Sequence, residues 1–220
     1  MQQRSERTVR RLILSAAAEF DRGGYARTTM DDITRAAGVT KGALYFHFSS
    51  KDELADAVQI RGRDLVEDFL EDVRTRESSP LQMLVDVTHH LNLLLHEEPA
   101  VRASVRIARE RALRPAPSFD FYRTWLDQAW QLLQEAQTGD ELGMDIADTP
   151  ARTLITSVTS GVEVLSWTGV PYADASRWLT GLWDLLLPAL ARDEAVRRVR
   201  TMAPEVTWRS CPGGADATAV

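Results

Sequence analysis

The sequence predicts an all-α fold, with a small N-terminal helical head followed by a larger all-helical body. Apolar residues recur at helical spacing through most of the 220-residue chain, and no stretch shows the strict alternation that is typical of a half-buried strand. Glycine, proline and capping residues divide the chain where these apolar patterns break. With 44% hydrophobic and 26% charged residues, the chain has the composition of a globular protein with a real core.

The first helix is predicted from about Arg4 to Asp21. Its apolar residues between Leu12 and Phe20 keep helical spacing, and Gly23-Gly24 follow as a stop signal. Two arginines before a short apolar run resemble a secretory signal, but the helical spacing and the acids that follow favour a helix packed on a core.

Two short helices follow in the head. Thr29 is predicted to cap the first, with Asp32 three residues later as a capping-box partner, and Gly38 ends it. Thr40 then caps a short helix from Lys41 to about His47.

The fourth helix is predicted to connect the head to the body. Ser50 and Glu53 form a capping box, and the apolar spacing continues to near Arg76. At 1.5 Å per residue this helix is about 38 Å long, which is longer than the head is wide.

Proline marks where several body helices begin. We predict helices from Pro80 to about His96, Pro99 to about Leu113, Phe119 to Gln137, Pro150 through Leu165, and Tyr172 to Ala191, with a loop from Arg114 to Ser118. The predicted organisation is a head (1–52), a body (53–203) and a disordered tail (204–220).

Charge is unevenly distributed between head and body. Residues 1–51 hold nine basic and five acidic residues, although the whole chain has a net charge of −6. This pattern indicates that only the head meets an anionic partner. A single cysteine, Cys211, excludes an internal disulfide, and no apolar stretch is long enough for a membrane span. We therefore expect a cytoplasmic protein with no membrane partner.

The segment from Thr28 to Phe48 is typical of a helix-turn-helix. Thr40, Lys41 and Gly42 place a hydroxyl, a charge and an open backbone at the start of the second helix, where free N–H groups favour phosphate. Tyr45 lies one turn later on the same face. Lys51 is expected to direct a further cation at the phosphate backbone, whereas Phe46 and Phe48 are expected to be core residues.

The stretch from Lys41 to Phe48 resembles the signature of TetR-type transcriptional repressors. The resemblance implies a dimer that binds a double-stranded DNA operator through its head and a small-molecule effector through its body. The DNA-binding residues that we predict are Thr29, Thr40, Lys41, Gly42, Tyr45, His47 and Lys51.

Further stretches are similar to γ-butyrolactone-type autoregulator receptors, which control antibiotic production in filamentous bacteria. They are Arg102 to Ile107, Tyr122 to Trp125 and Ser160 to Ser166. The resemblance implies that Trp125 lies over the effector, a γ-butyrolactone-type signal or an antibiotic. An acidic isoelectric point of about 5.3 favours a true receptor over the related basic pseudo-receptors.

The predicted effector pocket is mainly apolar. Besides Trp125, its walls are expected to be Val87, Leu91, Val105, Val158 and Val162, with Thr159 and Ser157 as polar anchors. The last two long helices carry more apolar surface than one chain hides, which predicts a four-helix homodimer interface. An ordinary two-helix core within a monomer is the alternative.

The sequence does not favour an enzyme. It holds four histidines without a zinc-binding spacing, and it has no nucleophile elbow, phosphate-binding glycine loop or dinucleotide fingerprint. We therefore expect no catalytic residues, no metal and no cofactor. The main alternative to a repressor is a ligand-independent, architectural DNA-binding protein, which a fully packed body would favour.

Overall fold

The computed structural model describes residues 2–77, 79–111, 121–143 and 147–204. Within these ranges the chain is helical, without a strand; Leu142 and Ala191 form an isolated bridge. The helices are α1 (Gln2–Gly23), α2 (Met30–Ala37), α3 (Lys41–His47), α4 (Lys51–Arg76), α5 (Pro80–Glu97), α6 (Pro99–Arg111), α7 (Phe121–Thr138), α8 (Asp148–Trp167), α9 (Tyr172–Leu190) and α10 (Asp193–Arg198).

The all-α prediction is confirmed, and most predicted helices begin and end within two residues of the observed ones. The short α10 was not predicted. Helix α8 begins at Asp148, two residues before the predicted start at Pro150, and its N-cap, Ala147, makes no side-chain cap. The predicted loop at 114–118 and all of the predicted tail beyond Pro204 lie outside the described residues.

Side-chain caps fix the head as the sequence predicts. Thr29 and Asp32 form a complete capping box at α2, and Thr40 accepts a hydrogen bond from the Ala43 N–H at α3. Gly38 ends α2 with a φ of 60°, a left-handed conformation that favours glycine.

One of the two hydrogen bonds of the predicted capping box at α4 is present, and the other has a different partner. Ser50 accepts from the Glu53 N–H, but the Glu53 carboxylate accepts from the backbone N–H and the hydroxyl of Ser49. Glu53 therefore closes the turn one residue earlier than a standard capping box.

Buried apolar side chains from α1 to α4 form the head core, including Leu12, Phe20, Ile33, Leu44 and Phe48. Phe48 is buried as expected.

The expectation for Phe46 is wrong, because its side chain is 82% exposed. Phe46 lies two residues after Leu44, and two residues on a helix turn the side chain about 200° away from the buried face.

Helix α5 lies at the centre of the body and is buried along nearly its whole length. Helices α4, α6, α7, α8 and α9 pack around it. This arrangement explains why the α5 sequence is apolar on almost every side.

Helix α6 joins the head to the body, since it packs against both α1 and α4. Arg102 Nε lies 2.8 Å from the Asp21 carboxylate, and Arg106 donates to the Asp21 carbonyl at 2.8 Å. The Glu110 carboxylate accepts from the Ala26 N–H at 2.7 Å. Helix α6 is therefore bonded directly to the C-terminal end of α1 and to the turn that follows it.

Candidate functional site

The N-terminal half of α3 forms an exposed surface on the head. Leu44 is fully buried and fixes the helix to the core, whereas Tyr45 is 53% exposed. Lys41 and Gly42 are also exposed, so the structure brings these predicted residues together on one accessible face. His47, at the end of α3, is half-buried, and its ring lies edge-on to that of Phe46.

The charge of Lys41 is held by a neighbouring acid. Its Nζ lies 2.7 Å from the Asp31 carboxylate, and both side chains are more than half exposed. The hydrogen bond and the charge of Asp31 raise the pKa of Lys41. An anion that approaches α3 must replace Asp31 as the partner of Lys41.

Lys51 does not point into solvent as expected for a phosphate contact. Its Nζ donates to the carbonyls of Tyr25, Ala26 and Thr28 at 2.9, 3.3 and 3.1 Å and lies 4.4 Å from the centre of the Tyr25 ring. The turn after α1 brings these carbonyls together. In this structure Lys51 stabilises the turn that supports α2 and α3.

Further cations lie on α1, outside the set that motif reasoning selected. The side chains of Arg4, Arg7, Arg10 and Arg11 are exposed. The excess of basic residues in the head was the only sequence signal for them.

A small cavity lies in the body between α5, α6, α7 and α8. Its volume is about 10 Å³, roughly the room for one water molecule. Its lining residues are Leu91, Leu95, Val105, Phe121, Trp125, Thr159 and Glu163. Because Trp125 is part of this lining, we call it the Trp125 cavity. Four of the predicted ligand-binding residues therefore meet here.

A second cavity of about 10 Å³ lies further along α5, and we call it the Trp183 cavity. Its lining residues are Leu84, Thr88, Leu133, Leu154, Ile155, Val158, Trp183 and Leu190. Val158 thus belongs to a different cavity from Trp125. On α5, Leu84 and Thr88 line the Trp183 cavity, and Leu91 and Leu95 line the Trp125 cavity. The two pairs are seven residues apart, which is about 10 Å along the helix at 1.5 Å per residue.

The remaining predicted pocket residues lie elsewhere. Val87 and Val162 are buried in the core but line neither cavity. Ser157 is exposed and donates to the Thr153 carbonyl, so the expectation that it anchors a ligand is wrong. Ser157 lies two residues before Thr159, on the opposite side of α8.

Two buried polar side chains were missed as candidate site residues: Glu163, which lines the Trp125 cavity, and Gln59, which is hydrogen-bonded to the lining residue Phe121. Glu163 is 1% exposed, and its Oε1 has no hydrogen-bond partner among the described residues. Burial raises the pKa of Glu163, and Arg109 partly opposes this effect. Gln59 accepts from the Phe121 N–H at 3.3 Å, while its Nε2 is buried without a described partner. A buried carboxylate with one unpaired oxygen beside an apolar cavity makes this a candidate ligand site.

Helices α8 and α9, which pack against each other, both expose large apolar side chains. These are Val164, Trp167, Trp178, Leu182 and Leu185, with exposed fractions between 36% and 76%. Other apolar residues of the same helices, such as Leu179 and Trp183, are buried within the chain. An apolar face of this kind indicates an interaction surface.

The described residues hold no group of histidine, cysteine and carboxylate side chains that suits a metal ion. None of the helices in these ranges is long and apolar enough to cross a bilayer.

The sequence matches the profile of bacterial regulatory proteins of the tetR family over residues 12–58. It is 30% identical over 199 residues to the A-factor receptor protein of Streptomyces griseus, covering 90% of this chain and 69% of that protein.

Solved structures give the same result. A γ-butyrolactone receptor described as ArpA-like is 30% identical, with a TM-score of 0.71, covering 89% of this chain and 93% of that one. The TetR-family protein CprB of Streptomyces coelicolor, in complex with its operator sequence, is 32% identical, with a TM-score of 0.73, covering 89% and 94%.

Proposed function

Because this chain belongs to the TetR family of bacterial regulatory proteins, we propose that it is a ligand-responsive transcriptional repressor that binds a palindromic operator as a homodimer. Such a protein acts in the cytoplasm, where the chromosome lies. The effector that we propose is a small, mainly apolar molecule of the γ-butyrolactone type.

The exposed start of α3 is the observation that carries this proposal. Lys41, Gly42 and Tyr45 present a cation, an open backbone and a phenol on a surface that Leu44 anchors to the head core. A helix N-terminus of this kind binds phosphate and contacts base edges in the major groove. We assign supporting roles to Thr29 and Thr40 as caps and to Lys51 as the residue that fixes the adjoining turn.

The exposed face of α8 and α9 supports dimer formation. A second copy that covers Trp178 and Leu185 removes both from water and forms a four-helix interface. Two copies of α3 must then lie roughly 34–36 Å apart, or a multiple of that distance, to contact successive major grooves.

The small size of the Trp125 cavity supports release by the effector. A ligand pocket usually measures about 300–1,000 Å³, whereas this cavity measures about 10 Å³. An effector must therefore separate the surrounding helices, including α6, which contributes Val105 to the lining. Since α6 is bonded to the head through Asp21 and Ala26, this separation changes the spacing of the two α3 helices.

Release of the operator requires a minimum difference in the effector's binding free energy between the DNA-binding and the released state. A shift from 1:99 to 99:1 between two states requires that the effector bind one state better by about 5.5 kcal/mol.

The architectural alternative predicts a body without a binding site. The small volume of the two cavities, about 10 Å³ each, favours the architectural alternative. The unsatisfied Oε1 of Glu163 and Nε2 of Gln59 count against it, because a purely structural core seldom leaves such atoms without partners. The similarity to γ-butyrolactone receptors over most of the chain also favours the ligand-responsive proposal.

Fluorescence anisotropy with a selected operator duplex tests the proposal. For Lys41→Ala we expect weaker binding and a plot of log affinity against log salt that is less steep by about 1.8, that is, about 0.9 for the Lys41 of each protomer. Arg198→Ala is the matched control, since it removes the same charge from exposed α10. Equal affinity and slope for the two variants would contradict the proposed interface. Addition of a γ-butyrolactone to the wild-type complex should release the duplex.

A further inference from the structure

Glu163 offers a hydrogen-bond acceptor to the Trp125 cavity. We propose that Glu163 determines effector specificity: its Oε1 accepts a hydrogen bond from a hydroxyl of a neutral effector, and the carboxylate excludes effectors that carry a carboxylate of their own. This assignment rests on the proposed function of the cavity as the effector site.

The geometry fixes one carboxylate oxygen and leaves the other one available. Arg109 Nη2 donates to Oε2 of Glu163 at 2.7 Å. The guanidinium carbon of Arg109 lies 4.6 Å from the centre of the Trp167 ring, which restricts the arginine from its other side. Oε1 is buried and has no hydrogen-bond partner among the described residues.

The other walls of the cavity provide little competition for this acceptor. The Thr159 hydroxyl donates to the Ile155 carbonyl of its own helix at 2.8 Å. The remaining lining side chains are hydrocarbon, apart from the Trp125 indole. None of these side chains donates to Oε1 in the structure, so a ligand hydroxyl that enters the cavity meets an acceptor that the described residues leave unpaired.

Charge decides which donor fits. Arg109 already balances the charge of Glu163, so a cationic ligand has no unpaired anion to meet and loses its hydration on burial. A carboxylate ligand presents only acceptor oxygens, so it gives Oε1 no donor, and its own charge is buried without a partner. A neutral hydroxyl gains a charge-assisted hydrogen bond without either penalty.

Three probes test the assignment by isothermal titration calorimetry and by release of operator DNA. They are a γ-butyrolactone with a hydroxylated alkyl side chain, the same lactone without that hydroxyl, and the open-chain acid made by hydrolysing the first lactone. For the wild type we expect the hydroxylated lactone to bind at least 10-fold more tightly than the deoxy lactone. It should bind at least 100-fold more tightly than the acid.

Glu163→Gln should largely abolish the preference for the hydroxylated lactone over the acid. Arg109 donates to the amide oxygen, so the amide NH₂ faces the cavity as a donor. The hydroxylated lactone should then weaken about 10-fold and the acid should bind about 10-fold more tightly. Glu135→Gln is the matched control, because it removes the same charge from α7 outside the cavity, where Glu135 pairs with Arg74.

Every outcome of this experiment is decisive. A lactone-to-acid ratio in Glu163→Gln that stays within 3-fold of the wild-type ratio overturns the assignment. Equal wild-type affinities for the hydroxylated and deoxy lactones also overturn it, and that comparison does not depend on whether a variant folds. If the wild type binds none of the three probes, the proposed effector class fails and the role of Glu163 fails with it.

Discussion

Gly62 lies where α4 crosses α6, and its replacement by alanine is expected to destabilise the protein. A Cβ at this position would lie 2.5 Å from the Ser104 Oγ, 3.2 Å from the Ser104 Cβ and 3.3 Å from the Ala100 carbonyl oxygen. Rotation of the hydroxyl relieves only the first contact. The other two require the helices to separate.

The expected loss follows from two opposing effects. Overpacking of this kind costs about 1–3 kcal/mol, and alanine regains up to about 1 kcal/mol of helix propensity over glycine. With backbone among the obstructing atoms, we expect a net loss of about 1–2 kcal/mol. For a chain of this size that loss lowers the Tm by about 2–8 °C.

Thermal unfolding followed by circular dichroism, at one fixed protein concentration, measures this loss. The double variant Gly62→Ala with Ser104→Gly moves the Cβ from one helix to the other. It should therefore lose less stability than the sum of the two single variants. A Gly62→Ala protein that melts at or above the wild-type temperature, or losses that simply add, would refute the close approach of α4 and α6.

Three further predictions concern the head, the core and the interface. Lys51→Met should lower the free energy of unfolding by about 1–3 kcal/mol, because three carbonyls lose their donor; unchanged stability in urea denaturation would contradict this role. Burial lowers the pKa of His90 to about 3, so as the pH falls the unfolded chain takes up a proton on this histidine before the folded chain does. This difference should lower the free energy of unfolding by about 2 kcal/mol between pH 7.5 and pH 5. His90→Phe should lose less stability than the wild type over that range, and parallel pH profiles of the two proteins would refute the prediction. Leu185→Glu should shift the dimer towards monomer in sedimentation velocity and weaken operator binding. Met202→Glu, which changes another exposed apolar residue outside α8 and α9, should change neither.

The helices of this protein were predictable because their signals are local. Thr29, Gly38 and Thr40 each act within a few residues of their own position, and the sequence contains all that such a cap requires. Helix α10 was missed because it is short, and Arg192 at its N-cap makes no side-chain cap.

The orientation of individual side chains was less predictable. Phe46 reads as a core aromatic, yet it lies on the outer face of α3. Lys51 reads as a phosphate contact, yet the turn at Tyr25 to Thr28 brings three carbonyls to it. Both outcomes depend on contacts between elements, which local spacing does not contain.

The two parts of the candidate site differ in the same way. The residues of α3 follow one another in the sequence, so a single motif indicates them. The Trp125 cavity draws on four helices, and its acceptor, Glu163, is notable only because Arg109 binds one oxygen and leaves the other without a partner.

Selection of random DNA duplexes on the purified protein tests the central claim most directly. If two α3 helices of a symmetric dimer bind DNA, the recovered sequences should share a palindromic consensus with half-sites one helical turn, or a multiple of it, apart. Recovered duplexes with no common sequence would contradict the account.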